Sequence, residues 1–226
     1  MSIMEIDFSR EIPIFPLPNV VLLPAAVQAL HIFEPRYREM TADALAGANL
    51  IAMALIQPGW EVLHEGLPPI HPVVCLARIV GDEKLDDGKF NLMLQGILRA
   101  TVRQERKHGL YRVARLAPLL DLPVDAGREA IARAAIAELF IHGAFSEHDL
   151  AQGVRNLLSH RVPVAHVADI LAFVFLQDIR AKQRLLEEPD PNARADAVVG
   201  VLAELARVGE TDTRPQRPWP PTVGEN

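Results

Sequence analysis

Cys75 is the only cysteine of the chain, and His71 and His64 precede it on the same stretch. A thiol activated by an imidazole is the nucleophile of cysteine hydrolases, so this trio is where covalent chemistry would begin. On one extended strand His71 and Cys75 share a face yet stand about 13 Å apart at roughly 3.3 Å per residue, too far for proton transfer. Cys75 therefore reads as a buried strand thiol, and a cryptic Cys/His hydrolase is kept as a third reading. As metal ligands, His64, His71 and Cys75 match no recognised zinc spacing, so no metal is expected. Ser159 and His160 are adjacent at a helix end, where neighbouring side chains diverge by roughly 100°. Ser2, Ser9, Ser146 and Ser159 are the chain's serines, and none sits in a Gly-x-Ser-x-Gly elbow. Gly88-Lys89 is followed by Phe90 and lacks the upstream glycine of a phosphate loop. No cofactor and no catalytic residue is expected, and His142 and His148 read as surface or cap residues flanking a helix break.

Two surfaces offer binding rather than catalysis. Pro58-Gly59-Trp60-Glu61 and Gly66-Leu67-Pro68-Pro69-Ile70 form a long loop between two strands, with Trp60, Leu67, Pro68 and Ile70 as candidate contacts for an extended peptide. The opposing expectation is that Trp60 folds back and closes the end of a barrel. The second surface is basic: Arg99, Arg103, Arg106, Lys107, His108, Arg112 and Arg115 crowd one hairpin. Such a ribbon is capable of contacting nucleic acid, and the hairpin Arg99–Arg115 is the alternative functional reading. Tyr111 is the one aromatic interleaved to stack a base, however, and the net charge is −6. The expectation is a solvated sheet face whose arginines pair with carboxylates on neighbouring strands, with nucleic acid not a partner.

With 226 residues, half of them hydrophobic and 23% charged, the chain has the composition of one or two globular domains with a sizeable core. A single cysteine allows no intrachain disulfide. Glu5 and Asp7 stand where a signal peptide would be basic, and no apolar run reaches the roughly 18 residues that span a bilayer. The expected location is cytoplasmic, without a membrane partner.

Up to about residue 120 the pattern alternates with period two. Ile12–Phe15, Ala29–Phe33, Ile51–Gln57, Val73–Val80, Phe90–Gln95, Ile97–Arg103 and Leu110–Leu116 read as seven short strands. Asp86-Asp87-Gly88 supplies a tight hairpin and Gly96 a bulge. Leu98, Ala100 and Val102 should face one way, Arg99, Thr101 and Arg103 the other. After Pro118-Leu119-Leu120-Asp121-Leu122-Pro123 the period becomes helical. Ser146 and Asp149 approximate a capping box, Pro163 opens a helix with Val167, Ile170, Leu171 and Val174 inward, and Asp190-Pro191 starts a last one carrying Val198, Leu202 and Leu205. The fold class is thus α+β: a small twisted β-barrel with one early helix over 1–120, a four-helix bundle over 121–208, and a disordered Pro-rich tail over 209–226.

Between barrel strands lies Leu30-His31-Ile32-Phe33-Glu34-Pro35-Arg36-Tyr37-Arg38-Glu39-Met40, a strand end, a turn and a helix start in one run. Glu34 is placed to accept from the first helical amides, Pro35 fits the first helical position, and Tyr37, Met40 and Ala44 share a face. Together with Ile12-Pro13-Ile14-Phe15-Pro16-Leu17 and Leu22-Leu23-Pro24, this run resembles the opening of the Lon protease amino-terminal, substrate-recognition domain, in particular its stand-alone bacterial form and the related domain of cereblon. Ala77-Arg78-Ile79, Asp87-Gly88, Gln95-Gly96-Ile97-Leu98-Arg99 and Ala181-Lys182-Gln183-Arg184-Leu185-Leu186-Glu187 extend the likeness over about Ile12 to Leu205, while Val73-Val74-Cys75-Leu76 departs from the family's valine-glycine-threonine run. The resemblance implies a PUA-like barrel and a non-catalytic module that binds unfolded or tagged polypeptide, with an ATP-dependent protease as a possible further partner. It also marks Pro16, Leu17, Pro24, Phe33, Glu34, Pro35, Arg36 and Tyr37 as motif residues with a structural part, and of these Glu34, Arg36 and Tyr37 are expected to join helix to barrel by buried ion pairing rather than to touch a ligand.

Overall fold

The computed structural model describes residues 6–60 and 67–209, which fall into two compact units meeting in sequence at Leu119 and Leu120. The first is built from β1 (Ile12–Leu17), β2 (Val27–Ile32), α1 (Pro35–Ala46), β3 (Leu50–Leu55), β4 (Val73–Lys84), β5 (Phe90–His108) and β6 (Tyr111–Pro118). The strands run in the order β2-β5-β4-β3-β1-β6, and β6 pairs again with β5. That second pairing closes β5, β4, β3, β1 and β6 into a barrel and leaves β2 as an appended edge strand. Closure suits the sequence: β3 and β1 lie parallel across a long connection, and every other pair is antiparallel.

The core follows the two-residue period. Ile12 and Ile14, Leu50, Ala52 and Ala54, Val74 and Leu76, Leu98 and Ala100, and Ala114 and Leu116 point into one buried cluster. Alanines on three of these five strands keep the interior narrow. The β3 strand is buried along its whole length, because its other face is covered as well.

The sheet has six strands among the described residues, not the seven expected, five of them in the barrel and β2 appended. Phe90–Gln95 and Ile97–Arg103 are one continuous strand, because Gly96 and Leu98 pair with the adjacent Ala77 and Leu76 and leave Ile97 as the extra residue of a bulge. A glycine that reads as a break in sequence lets the ladder continue here, since the bulge bends the strand without ending it. The Asp86-Asp87-Gly88 hairpin forms as expected: Gly88 takes φ of 78°, and the Asp87 carboxylate accepts from the Lys89 amide at 3.1 Å.

The second unit contains α2 (Ala126–Ile141), α3 (Ala151–Ser159), α4 (Val164–Phe175), α5 (Ile179–Glu187) and α6 (Pro191–Val208). That is five helices among the described residues where four were expected. Asp125, Asp178 and Asp190 cap α2, α5 and α6 through their side chains. The box expected at Ser146 and Asp149 does not form, because α3 begins at Ala151 without a side-chain cap on its Leu150 N-cap; His148 Nδ1 accepts from the Leu150 amide instead, at 3.1 Å. In α4, Val167 and Leu171 are buried while Ile170 and Val174 are half-buried. The fully buried Arg194 of α6 donates to both carboxylate oxygens of Asp121 at 2.9 Å and to the Glu188 carbonyl. Gly209 ends α6 in the left-handed conformation, and the tail expected beyond it, residues 210–226, lies outside the described residues.

Candidate functional site

The loop after β3 has firmly tied ends. Gln57 donates twice: its backbone amide to the Pro69 carbonyl at 2.8 Å, and its side-chain amide to the Ile70 carbonyl at 3.1 Å. Ile56 and Ile70 form an isolated bridge, and the His71 amide reaches the Leu55 carbonyl. Beneath the returning strand the Arg112 guanidinium, 3% exposed, donates to the Pro68 carbonyl at 3.0 Å and pairs with Glu105 at 3.2 Å. Pro68 and Ile70 are therefore parts of a buried stem, and Ile70 belongs to the barrel core. Trp60 and Leu67 are instead 44% and 48% exposed. Gly59 supports the turn before Trp60 with φ of 89°. Glu61 to Gly66, with His64 among them, lie outside the described residues.

The strand-to-helix junction is stitched mainly through Tyr37. Its ring packs 4.5 Å from that of Phe15, its hydroxyl donates to the Pro16 carbonyl at 3.2 Å, and burial raises its pKa above the ordinary value. Pro35 occupies the first turn of α1 as expected. Glu34 does not cap the helix with its carboxylate, which Arg36 holds at 2.8 Å. That pair is part-exposed rather than buried, and the Arg36 guanidinium also lies 4.5 Å over the Tyr37 ring. Leu17 lends its carbonyl to the Ile56 amide. Pro24 is buried in the Leu23–Ala26 turn, whereas Phe33 is 54% exposed.

The basic hairpin is engaged in structure. Arg106 pairs with Glu11, and Arg99 and Arg112 are buried instead of lining the solvated face. The turn is pinned to α1, where Tyr111 donates to Asp43 at 2.8 Å and the Leu110 amide donates to Glu39 at 3.3 Å. Arg103, Lys107 and Arg115 remain exposed. Burial, followed by the bond to Asp43, pushes the Tyr111 hydroxyl well above its ordinary pKa.

The remaining reactive groups do not assemble. Cys75 is fully buried, and no group of three or more potential metal ligands occurs among the described residues. The Ser159 hydroxyl lies 3.4 Å from His160 Nδ1, yet that nitrogen sits 2.7 Å from the Asn156 carbonyl, so it carries the proton and cannot act as a base. No described helix is long and apolar enough to cross a membrane.

Residues 11–204 match the family described as the ATP-dependent protease La (LON) substrate-binding domain. The chain belongs to that family. A Lon protease from Anaeromyxobacter dehalogenans is 26% identical over 198 residues, covering 87% of this chain and 23% of that protease. Lon protease 2 from Sorangium cellulosum is also 26% identical, over 204 residues and 25% of its length. The chain thus spans about a quarter of the length of these curated relatives, and the match lies wholly in the Lon amino-terminal region. Among solved structures, the Lon N-terminal domain protein from Xanthomonas campestris aligns with a TM-score of 0.59 at 24% identity, over 84% of this chain and 98% of that one. The amino-terminal domain of the Mycobacterium avium complex Lon protease gives 0.66 at 15% identity, over 86% and 99%. Both likenesses are of fold. The stem role of Arg112 escaped the sequence reading, which had placed it on a solvated strand face; no local pattern distinguishes a buried arginine from an exposed one there.

Proposed function

We propose that this Lon-family domain is a non-catalytic module that recognises unfolded or tagged polypeptide, with Trp60 and Leu67 as its primary contacts. The observation that carries this reading is the exposure of a tryptophan and a leucine at the two described edges of one loop whose ends are fixed by Gln57, Arg112 and the core residue Ile70. An exposed aromatic on a rigid support loses little conformational freedom on binding, so most of its burial contributes to affinity. Pro68 and Ile70 act by holding the loop. The family description, a substrate-binding domain, supports polypeptide as the ligand class, and the missing phosphate loop and activated nucleophile support recognition without turnover. Delivery to an ATP-dependent protease and a cytoplasmic location belong to the same proposal. The alternative through the basic hairpin is weakened by the burial of Arg99 and Arg112 and by the surface pairing of Arg106 with Glu11.

The test is fluorescence anisotropy with labelled, chemically unfolded β-casein and the full chain. Trp60→Ala should weaken binding by roughly 1 to 3 kcal/mol, the cost of truncating a buried anchor. Arg103→Ala should leave it unchanged. Equal affinity of the Trp60→Ala and unaltered proteins would refute the assignment of the site.

A further inference from the structure

Among the described residues the appended strand β2 has a neighbour on one side only. Its register with β5 pairs Val27 with Gln95, Ala29 with Met93 and His31 with Asn91. Just before it, the Gly96 amide donates to the Ala26 carbonyl. Antiparallel ladders alternate, so Gln28, Leu30 and Ile32 bond to β5, and Val27, Ala29 and His31 direct their amides and carbonyls away from it. The Gln28 side chain donates back to the Ala29 carbonyl at 2.7 Å, which marks that oxygen as outward-facing.

Edge strands in native proteins are commonly blunted by charge or proline. The β2 sequence, Val-Gln-Ala-Leu-His-Ile, contains neither. Alongside the open edge runs an apolar stripe on one face: Val27 at 44% exposure, Ala29 with its cross-strand partner Met93, and Phe33 at 54%. The Phe33 ring stacks with that of His31 at 6.2 Å. The polar groups within the stripe are committed to each other, His31 Nδ1 to Asn91 Oδ1 and the Asn91 amide to Glu83, each at 2.8 Å.

We propose that β2 is a second seat for the client, which adds as an extended strand along the Val27–Ile32 edge. The ligand class is an unfolded polypeptide segment of about six residues with uncharged, apolar side chains at alternate positions. The backbone edge supplies sequence-independent affinity, and the Val27–Phe33 stripe selects against charge. An extended backbone is the occupant because the unmet groups are alternating amides and carbonyls in a straight row, which only another strand satisfies in series. This inference rests on the polypeptide-binding reading and extends it to a site separate from Trp60.

The experiment uses the full chain and two labelled eight-residue probes that alternate valine and threonine. One probe is unmodified. The other is N-methylated at every second amide, so its side chains are retained and one row of donors is lost. The unmodified probe should bind at least roughly tenfold more tightly than the methylated one, as loss of several backbone bonds implies. Ala29→Pro removes an outward donor without touching the β5 ladder and should abolish that preference, with the native circular dichroism intact. Amide exchange at Val27, Ala29 and His31 should slow when the unmodified probe binds. If unfolded β-casein binds through Trp60 while both probes bind equally and exchange at β2 is unchanged, this inference falls and the Trp60 reading stands. If no unfolded polypeptide binds at all, both fall. A dimer detected by light scattering and dispersed by Ala29→Pro would assign the edge to a second copy and overturn the proposal.

Discussion

At Gly96 a methyl group would sit 2.2 Å from the Leu23 carbonyl oxygen and 3.0 Å from the Cys75 sulfur. The neighbouring backbone is held there by bonds from the Ala25 amide to the Gly96 carbonyl and from the Gly96 amide to the Ala26 carbonyl, both at 2.9 Å. Gly96→Ala should therefore destabilise the protein by roughly 2 to 4 kcal/mol, the range of an overpacked core with a displaced backbone, as read from urea unfolding. The need for glycine was legible as a bulge; the close approach of Leu23 was not, because it joins segments distant in sequence. A second residue-scale prediction concerns the tyrosines. Tyr37 and Tyr111 are the only two in the chain, and burial raises both hydroxyls above the ordinary value of 10.0. The unfolded chain ionises near that value while the folded one resists, so this contribution to stability is complete below it and is lost as pH rises beyond it. Tyr111→Phe should flatten the alkaline fall in stability, measured as denaturation midpoint against pH. An unchanged alkaline limb would show that Tyr111 is not shielded.

Among the elements, local chemistry reads better than pairing. Asp-Pro at residues 190–191 and the hairpin at residues 86–88 are encoded within a few residues and form as expected. The second β5–β6 pairing that closes the barrel depends on the 19-residue length of β5, whereas the local pattern around Gly96 suggests two shorter strands. Capping separates true from apparent signals in the same way. The Asp178 carboxylate accepts from the Arg180 amide at 2.8 Å, whereas Ser146 caps nothing. Asp178→Ala should cost about 1 kcal/mol and Ser146→Ala close to zero, measured by thermal unfolding. The reverse order would mean that α3 starts at Ser146.

For the molecule as a whole, the family was legible because its motif packs strand, turn and helix start into one run, from Leu30 to Met40. The binding surface was only partly so: Trp60 and Leu67 stood out by type, whereas the burial of Arg99 and Arg112 and the openness of β2 are products of the closed barrel. Net charge of −6 opposes a phosphate backbone, and the central claim is that this domain binds polypeptide through apolar contact. The most direct measurement is the salt dependence of binding to unfolded β-casein and to single-stranded RNA, from low to moderate salt. The account predicts casein binding that changes little with salt, falls in Trp60→Ala and ignores Arg103→Ala. It would be contradicted by RNA binding with a log-log slope of about −0.7 per neutralised phosphate that Arg103→Ala flattens, alongside casein binding indifferent to Trp60.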